Sequence, residues 1–233
     1  MQNIDEKVKQ NRDVIMSLVS QPFNVEQTYA EIKSTATDIK RSCGAKAVST
    51  FGLFPPHKDV NILFVKKNGG HLTKSEINND FVYYFDAQGR IILTEYYNVE
   101  TVLDNPLVQI IFFEYEGNEI NIRLFDKHLQ KLQFVGKCVL DETGRLVKYL
   151  TSHDYERFVY TELLYHYDDD NIHISEIMYN DESYALAKST VEREWLFQNK
   201  KLVETAQVRR LVFRNGQWTE ATSMMEMLKN YKP

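Results

Sequence analysis

Two histidines that flank an acidic stretch have the spacing that best fits a metal-binding site. The segment runs His166-Tyr167-Asp168-Asp169-Asp170-Asn171-Ile172-His173. If Asp169 and Asp170 form a two-residue turn, His166 and His173 become cross-strand neighbours. Two imidazoles on one face, with a carboxylate nearby, could bind a divalent metal ion. A solvated acidic turn with two surface histidines fits the same pattern, so we predict no metal site and no cofactor.

Paired carboxylates form the second candidate, at Glu114 with Glu116 and at Asp168 with Asp170. Glycoside hydrolysis needs two carboxyl groups at a defined separation across a cleft. The sequence shows neither a cleft nor that separation, and both pairs stand near turns, so we assign them to turn formation and solvation. The chain carries no G-x-S-x-G, P-loop, H-E-x-x-H or G-x-G-x-x-G motif. We therefore predict that it is not an enzyme, although catalytic residues that assemble only in three dimensions stay an alternative.

The composition is that of a globular protein, and its acidic charge does not favour binding to nucleic acid. The chain has 233 residues, 43% hydrophobic and 26% charged, with a formal net charge of -5. Phosphate binding favours a basic surface, so nucleic acid is not an expected partner, whereas a basic protein is. There is no apolar targeting segment and no membrane-spanning run, so we expect a cytoplasmic protein. Cys43 and Cys138 fit two free thiols or one disulfide.

Aromatic residues are unusually frequent, with 14 Tyr and 13 Phe. Tyrosine combines a large contact area with a polar tip, and interfaces are enriched in it. Cross-strand pairing that stabilises an exposed sheet face explains the tyrosines as well. The candidate partner-binding residues lie around one strand: Tyr149, Tyr160, Glu162, Tyr165, His166 and Tyr167.

A repeated D-x-x-G-R element indicates how such residues are positioned. It occurs at Asp86–Arg90 and at Asp141–Arg145, each between runs of aromatic and β-branched residues. The aspartate can accept from turn N–H groups, and the glycine can adopt a positive φ. This is the pattern of a three-residue hairpin loop, and it predicts a solvated arginine at the start of the return strand.

Two helices are predicted before the strands. Apolar residues recur at helical spacing up to Gln21-Pro22, namely Ile4, Val8, Ile15, Leu18 and Val19. Asn24 resembles an N-cap with Gln27 three residues later. A second stripe then runs through Val25, Tyr29, Ile32, Ala36 and Ile39, and Gly44 resembles a C-terminal cap.

The remaining chain predicts an antiparallel meander. The first strand is expected at Val60–Val65, followed by a polar loop over Lys67–Asn79, and Ser223 with Glu226 resembles the capping box of a final helix. We predict one α+β domain over 1–233, with helical 1–55, an antiparallel sheet over 56–222 and a helix over 223–233. The helical pair packs on the sheet, and a sheet this long must twist or curl.

The hairpin elements resemble the YD repeats of RHS-type proteins. The segment Tyr83-Tyr84-Phe85-Asp86 matches the repeat pattern more closely, while Tyr165-His166-Tyr167-Asp168 keeps the Tyr-Asp element without the glycine. RHS proteins often carry toxins, whose cognate immunity proteins are small, acidic, cytoplasmic binders. The resemblance thus implies a non-enzymatic immunity protein that masks a bacterial toxin. The alternative is a small-molecule or lipid carrier, with a cavity lined by Phe112, Phe134 and Tyr160 inside the curled sheet.

Overall fold

A computed structural model describes residues 4–42, 72–74, 81–97, 107–127, 130–181, 186–198 and 201–228. Two helices come first, α1 at Ile4–Ser20 and α2 at Val25–Thr35. The strands follow: β1 Asp38–Ser42, β2 Leu72–Thr73, β3 Phe81–Phe85, β4 Ile91–Tyr97, β5 Leu107–Glu116, β6 Glu119–Asp126, β7 Lys131–Leu140, β8 Leu146–Asp154, β9 Val159–Asp168, β10 Asn171–Asn180, β11 Ser189–Gln198, β12 Lys201–Arg214 and β13 Gln217–Glu220. The strand predicted at Val60–Val65, most of the predicted Lys67–Asn79 loop, the Gly44 cap and Cys43 lie outside the described residues.

The chain groups into two compact units. The continuous unit is Gln21–Phe134, and the split unit combines Met1–Ser20 with Val135–Pro233. α2 therefore belongs to the continuous unit and α1 to the split unit. The single-domain boundary over 1–233 stays a prediction.

The described strands run antiparallel in hairpin order. From β3 to β13 each strand lies beside the next one in sequence, while β1 lies between β3 and β2. Both faces of β3 are buried: the neighbouring Tyr83 and Tyr84, which point to opposite faces, are 0% and 5% exposed. The predicted fold class is confirmed: a helical pair, an antiparallel meander and a short C-terminal helical turn.

Helix α1 forms as its spacing predicts. Its buried residues Val8, Asn11, Ile15 and Leu18 recur every three or four positions, so they share one face. The helix ends at Ser20, before Pro22, which cannot donate a backbone hydrogen bond. Among the described residues, neither helix is long and apolar enough to cross a membrane.

Helix α2 is shorter than predicted. The Asn24 side chain caps it by accepting from the Gln27 N–H at 3.0 Å, as expected. The helix ends at Thr35, however, and Ile39 lies in β1 opposite Tyr84 of β3. The prediction of a helix through Ile39 was wrong because the backbone of Asp38–Ser42 pairs with β3 instead. A 4-3-4-3 spacing of apolar residues carries no information about a strand that lies far along the chain.

Both D-x-x-G-R elements form the same hairpin loop. Gly89 and Gly144 have φ angles of 75° and 79°. The Asp86 carboxylate accepts from the backbone N–H groups of Gln88 and Arg90, at 3.0 and 2.8 Å. The Asp141 carboxylate accepts in the same way from residues 143 and 145. The predicted loop geometry is confirmed.

The arginines of these loops are exposed, as predicted, and each also contacts a carboxylate and an aromatic ring. Arg90 Nε donates to Asp86 at 2.7 Å, and its guanidinium lies 4.3 Å from the Tyr115 ring centre. Arg145 donates to its own aspartate at 2.8 Å and lies 4.6 Å from the ring centre of Tyr167. Both side chains stay exposed, as predicted, at 45% for Arg90 and 54% for Arg145, and a tyrosine two strands along the chain offers each one a ring face.

Gly144 gives a direct test of the loop. A Cβ at this position meets nothing within 4 Å, so substitution there affects backbone conformation alone. We expect Gly144→Ala to lower the free energy of unfolding by about 1–2 kcal/mol, because a β-carbon is disfavoured at positive φ. Gly144→Asn should cost less, since asparagine tolerates this region. Urea unfolding of both variants checks the order, and an asparagine variant less stable than the alanine one contradicts it.

In the described part of the C-terminal segment, up to Leu228, Met225–Met227 form a single 3₁₀ turn and no α-helix. Thr222, not Ser223, forms the reciprocal contact with Glu226, through its N–H and its hydroxyl, each at 2.8 Å. Met227 is buried with Val191, Val212 and Ala221. A single turn is too short to be stable as an isolated helix, so the described part of the segment depends on this packing for its stability.

Candidate protein-binding surface

Helix α1 lies on one face of β8–β12 in the split unit, and register identifies the rows beneath it. Glu162, Ile177 and Glu192 are paired across β9, β10 and β11, and Arg209 continues that row on β12. The neighbouring row runs Tyr160, Tyr179, Thr190 and Leu211. These side chains point to the helix face because register partners share a face.

A buried carboxylate attaches α1 to this face. Glu162 is 2% exposed, and its two oxygens lie 2.6 Å from Lys7 Nζ and 2.8 Å from Lys148 Nζ. Lys148 also donates to Asn11 at 3.4 Å. Burial raises the pKa of Glu162, but the two ammonium groups outweigh it and hold the pKa below its ordinary value. The carboxylate is therefore ionised and bridges α1 to β8 and β9.

Further contacts hold the middle and the start of α1. Arg12 pairs with Asp181 and lies 4.4 Å from the Phe158 ring centre. Near the start of the helix, Asp5 accepts from Trp218 Nε1 at 3.2 Å and from Lys188 Nζ at 3.4 Å. The helix is thus attached at three successive turns.

Beyond α1, no element of the described residues covers the same sheet face. The next two rows comprise Leu164, Ser175 and Glu194, then His166, His173 and Leu196. We call these six residues the outer patch. All are exposed except the partly buried Leu196, and Leu164 exposes 38% of its surface. The exposed acidic turn Asp168–Asp170 lies at the end of the patch beside His166 and His173, so the patch combines two leucines with polar and acidic groups.

The two histidines are cross-strand neighbours, as the turn pattern predicted. Their register is confirmed, with ring centres 6.4 Å apart. Among the described residues, no three His, Cys, Asp or Glu side chains are grouped to hold a metal ion. We therefore treat His166 and His173 as part of the exposed patch.

A cavity of about 220 Å³ lies between the first turns of α1 and the sheet, next to the outer patch. Its apolar walls include Ile4, Val8, Tyr160 and Ile177. A β-bulge between Glu192 and Glu194, where β12 gains one residue against β11, borders it. Bulges often occur beside binding sites because they redirect the strand.

Two polar groups of the cavity have no partner among the described residues. Thr190 is 2% exposed, and its hydroxyl forms no hydrogen bond. Glu194 forms no ion pair with any described cation and is exposed at the cavity mouth. A buried hydroxyl without a partner is unfavourable, so a ligand that supplies one gains affinity.

The six sequence-predicted residues divide between the two sheet faces. Tyr160, Glu162 and His166 lie on the α1 face, and only His166 is exposed. Tyr149, Tyr165 and Tyr167 lie on the opposite face. Tyr149 and Tyr165 are 6% and 8% exposed, and burial raises the pKa of both hydroxyls. Their partner-binding role stays a prediction; His166 is the member that the exposed patch includes.

The continuous unit contains a polar cluster that sequence reasoning missed. Glu95 of β4 is 1% exposed and accepts from the hydroxyls of Tyr29, Tyr84 and Tyr97 and from Lys33 Nζ at 2.9 Å. Burial raises the pKa of Glu95, but these donors outweigh it and leave the pKa below its ordinary value. Burial beside the carboxylate raises the pKa of Tyr84 to about 12. The cluster holds α2 on β3 and β4 rather than forming an open site.

A usable signal for both carboxylates was present in the sequence. Glu95 stands inside Ile91-Ile92-Leu93-Thr94-Glu95-Tyr96-Tyr97, and Glu162 inside a similar apolar run. A charge in the middle of such a strand predicts a buried partner, because an isolated buried charge is very costly. Thr190 and Glu194 carried no comparable signal.

Comparison with protein-family models, with curated proteins and with solved structures finds no match.

Proposed function

We propose that the chain is a non-enzymatic protein-binding module, most specifically a cytoplasmic immunity protein that neutralises a bacterial toxin by masking it. The outer patch is the observation that carries the proposal. This exposed sheet face presents Leu164 and Leu196 at opposite corners, two histidines between them and acidic groups beside them, a mixture of apolar, aromatic and polar groups that a protein partner could contact.

Charge indicates the kind of partner. The chain has a net charge of -5, and the exposed Glu194 and Asp168–Asp170 concentrate negative charge at the patch. Complementary charge speeds association and selects a partner of the opposite sign. A basic toxin domain, such as a nuclease, fits this surface.

Co-expression tests the proposal. We expect the product of the neighbouring open reading frame to arrest growth when expressed alone, and growth to recover when this chain is co-expressed. The two proteins should also copurify as a complex. The proposal fails if the neighbouring product is harmless, or if toxicity persists at matched expression of this chain.

A carrier is the second candidate, and the cavity beneath α1 favours it. Its walls are largely apolar. The sequence also predicts a cavity within the sheet, lined by Phe112, Phe134 and Tyr160. These side chains are each at most 1% exposed, and Phe112 packs against Phe23 of its own unit. Native mass spectrometry of the purified chain should show a bound small molecule if this candidate holds.

A further inference from the structure

We infer that the cavity beneath α1 binds a small uncharged ring compound, about the size of indole, that carries one N–H or O–H donor. The ring packs between Ile4 and Val8 of α1 and Ile177 of β10, and its donor bonds to Glu194 of β11. The inference rests on the carrier candidate, because it names the class of ligand that this cavity takes.

Size favours a molecule of one or two fused rings. The cavity measures about 220 Å³. An apolar cavity of about 150 Å³ binds benzene, whereas pockets for drug-sized molecules are typically about 300–1,000 Å³. The space beneath α1 therefore suits a ligand somewhat larger than a single ring.

Charge favours an uncharged ligand. The charged residues of the lining balance, three cations against three carboxylates: Lys7, Arg193, Arg209, Glu176, Glu192 and Glu194. The charges beside the lining also cancel, since Glu162 pairs with Lys148 as well as with Lys7. A cation or an anion would bring an unbalanced charge into this space, and burying such a charge is costly. An uncharged ligand leaves the existing ion pairs intact.

Strand register places a hydrogen-bond acceptor next to the apolar wall. Ile177 pairs with Glu192, and Ser175 pairs with Glu194, so Ile177 and Glu194 lie in adjacent rows on the α1 face of the sheet. Diagonal neighbours of this kind are about 7–8 Å apart. A fused-ring molecule that rests on Ile177 therefore reaches Glu194 with its own N–H or O–H.

Glu194 selects a ligand that donates. It is exposed at the cavity mouth, and its carboxylate has no ion-pair partner among the described residues. An ionised carboxylate only accepts hydrogen bonds, so the polar group of the ligand must be a donor. Hydrogen bonds to an ionised acceptor are stronger than those between neutral groups, so a single N–H orients the ring.

Amide NMR of the isotopically labelled full chain tests the site with indole as the probe. Indene is the matched hydrocarbon without the N–H group, while tryptamine and indole-3-acetate add a positive and a negative charge. We expect chemical-shift changes at Ile4, Val8, Ile177 and Glu194 on titration with indole. Each of the other three compounds should bind about tenfold more weakly.

Variants of Glu194 test its role as the acceptor. Glu194→Ala should weaken indole binding about tenfold, to the level of indene, and leave the binding of indene unchanged. Glu220→Ala, the same change at an exposed position of β13, is the matched control and should leave the binding of both compounds unchanged.

Several results would overturn the inference. Equal binding of indole and indene removes the role of the donor, and equal binding of tryptamine or indole-3-acetate removes the charge argument. Shifts confined to other residues place the probe elsewhere. If indole fails to bind while native mass spectrometry shows another bound molecule, this ligand class is wrong and the carrier candidate stands. If indole binds as expected but the chain purified from cells carries no small molecule, the carrier candidate fails by itself.

Discussion

Replacing Glu95 by leucine will lower the free energy of unfolding by about 2–4 kcal/mol. Glu95 is 1% exposed and is the common acceptor of Tyr29, Tyr84, Tyr97 and Lys33. Removing the carboxylate leaves three hydroxyls without an acceptor and an ammonium without its counter-charge. The attachment of α2 to β3 and β4 should weaken most.

Denaturant unfolding, followed by tyrosine fluorescence and near-UV circular dichroism, measures this effect. Glu95→Gln keeps one acceptor oxygen without the charge, so its loss should fall between wild type and the leucine variant. Glu116→Gln is the matched control, because Glu116 is exposed at the end of β5 in the same unit. The control should stay within about 0.5 kcal/mol of wild type. A leucine variant as stable as the control would show that the cluster does not hold α2.

The second large effect is expected at Glu162. Glu162→Gln should lower the free energy of unfolding by about 2–4 kcal/mol, because Lys7 and Lys148 both lose their counter-charge in a buried setting. Hydrogen exchange should show the effect locally, with faster exchange of the α1 amides than in wild type. Glu142→Gln, at an exposed position in the loop before β8, is the matched control.

The pH dependence of Glu162 follows from its lowered pKa. A carboxyl group with a folded-state pKa below its ordinary value of 4.5 stabilises the fold above that value. The contribution is lost as pH falls from about 4.5 through the lower folded-state pKa. Wild-type stability should therefore decline in this window more steeply than that of Glu162→Gln. Parallel stability curves for the two proteins would show that the ion pairs with Lys7 and Lys148 add nothing.

Local sequence rules predicted the local elements well. Asn24 caps α2, α1 ends before Pro22, and Gly89 and Gly144 take the positive φ that their loops require. Each of these features depends on a few neighbouring residues. The two-residue turn that pairs His166 with His173 succeeded for the same reason.

Contacts between distant parts of the chain escaped prediction. Arg12 pairs with Asp181, 169 residues away, so no spacing rule could locate α1 on its strands. The burial of the tyrosines was not predicted for another reason. Alternation separates two sheet faces but does not show which face is covered, and Tyr149 and Tyr160, on opposite faces, are both buried. The outer patch is exposed because α1 does not extend over those strand rows, and the position of α1 on the sheet is set by tertiary contacts.

The partner surface itself is tested most directly by charge reversal within the co-expression assay. Glu194→Lys changes the outer patch and the cavity mouth at an exposed position, while Glu220→Lys makes the same change on β13. We expect wild type and Glu220→Lys to restore growth against the toxic neighbouring product and to copurify with it, and Glu194→Lys to lose both. Full protection by a folded Glu194→Lys variant would contradict the assignment of this surface.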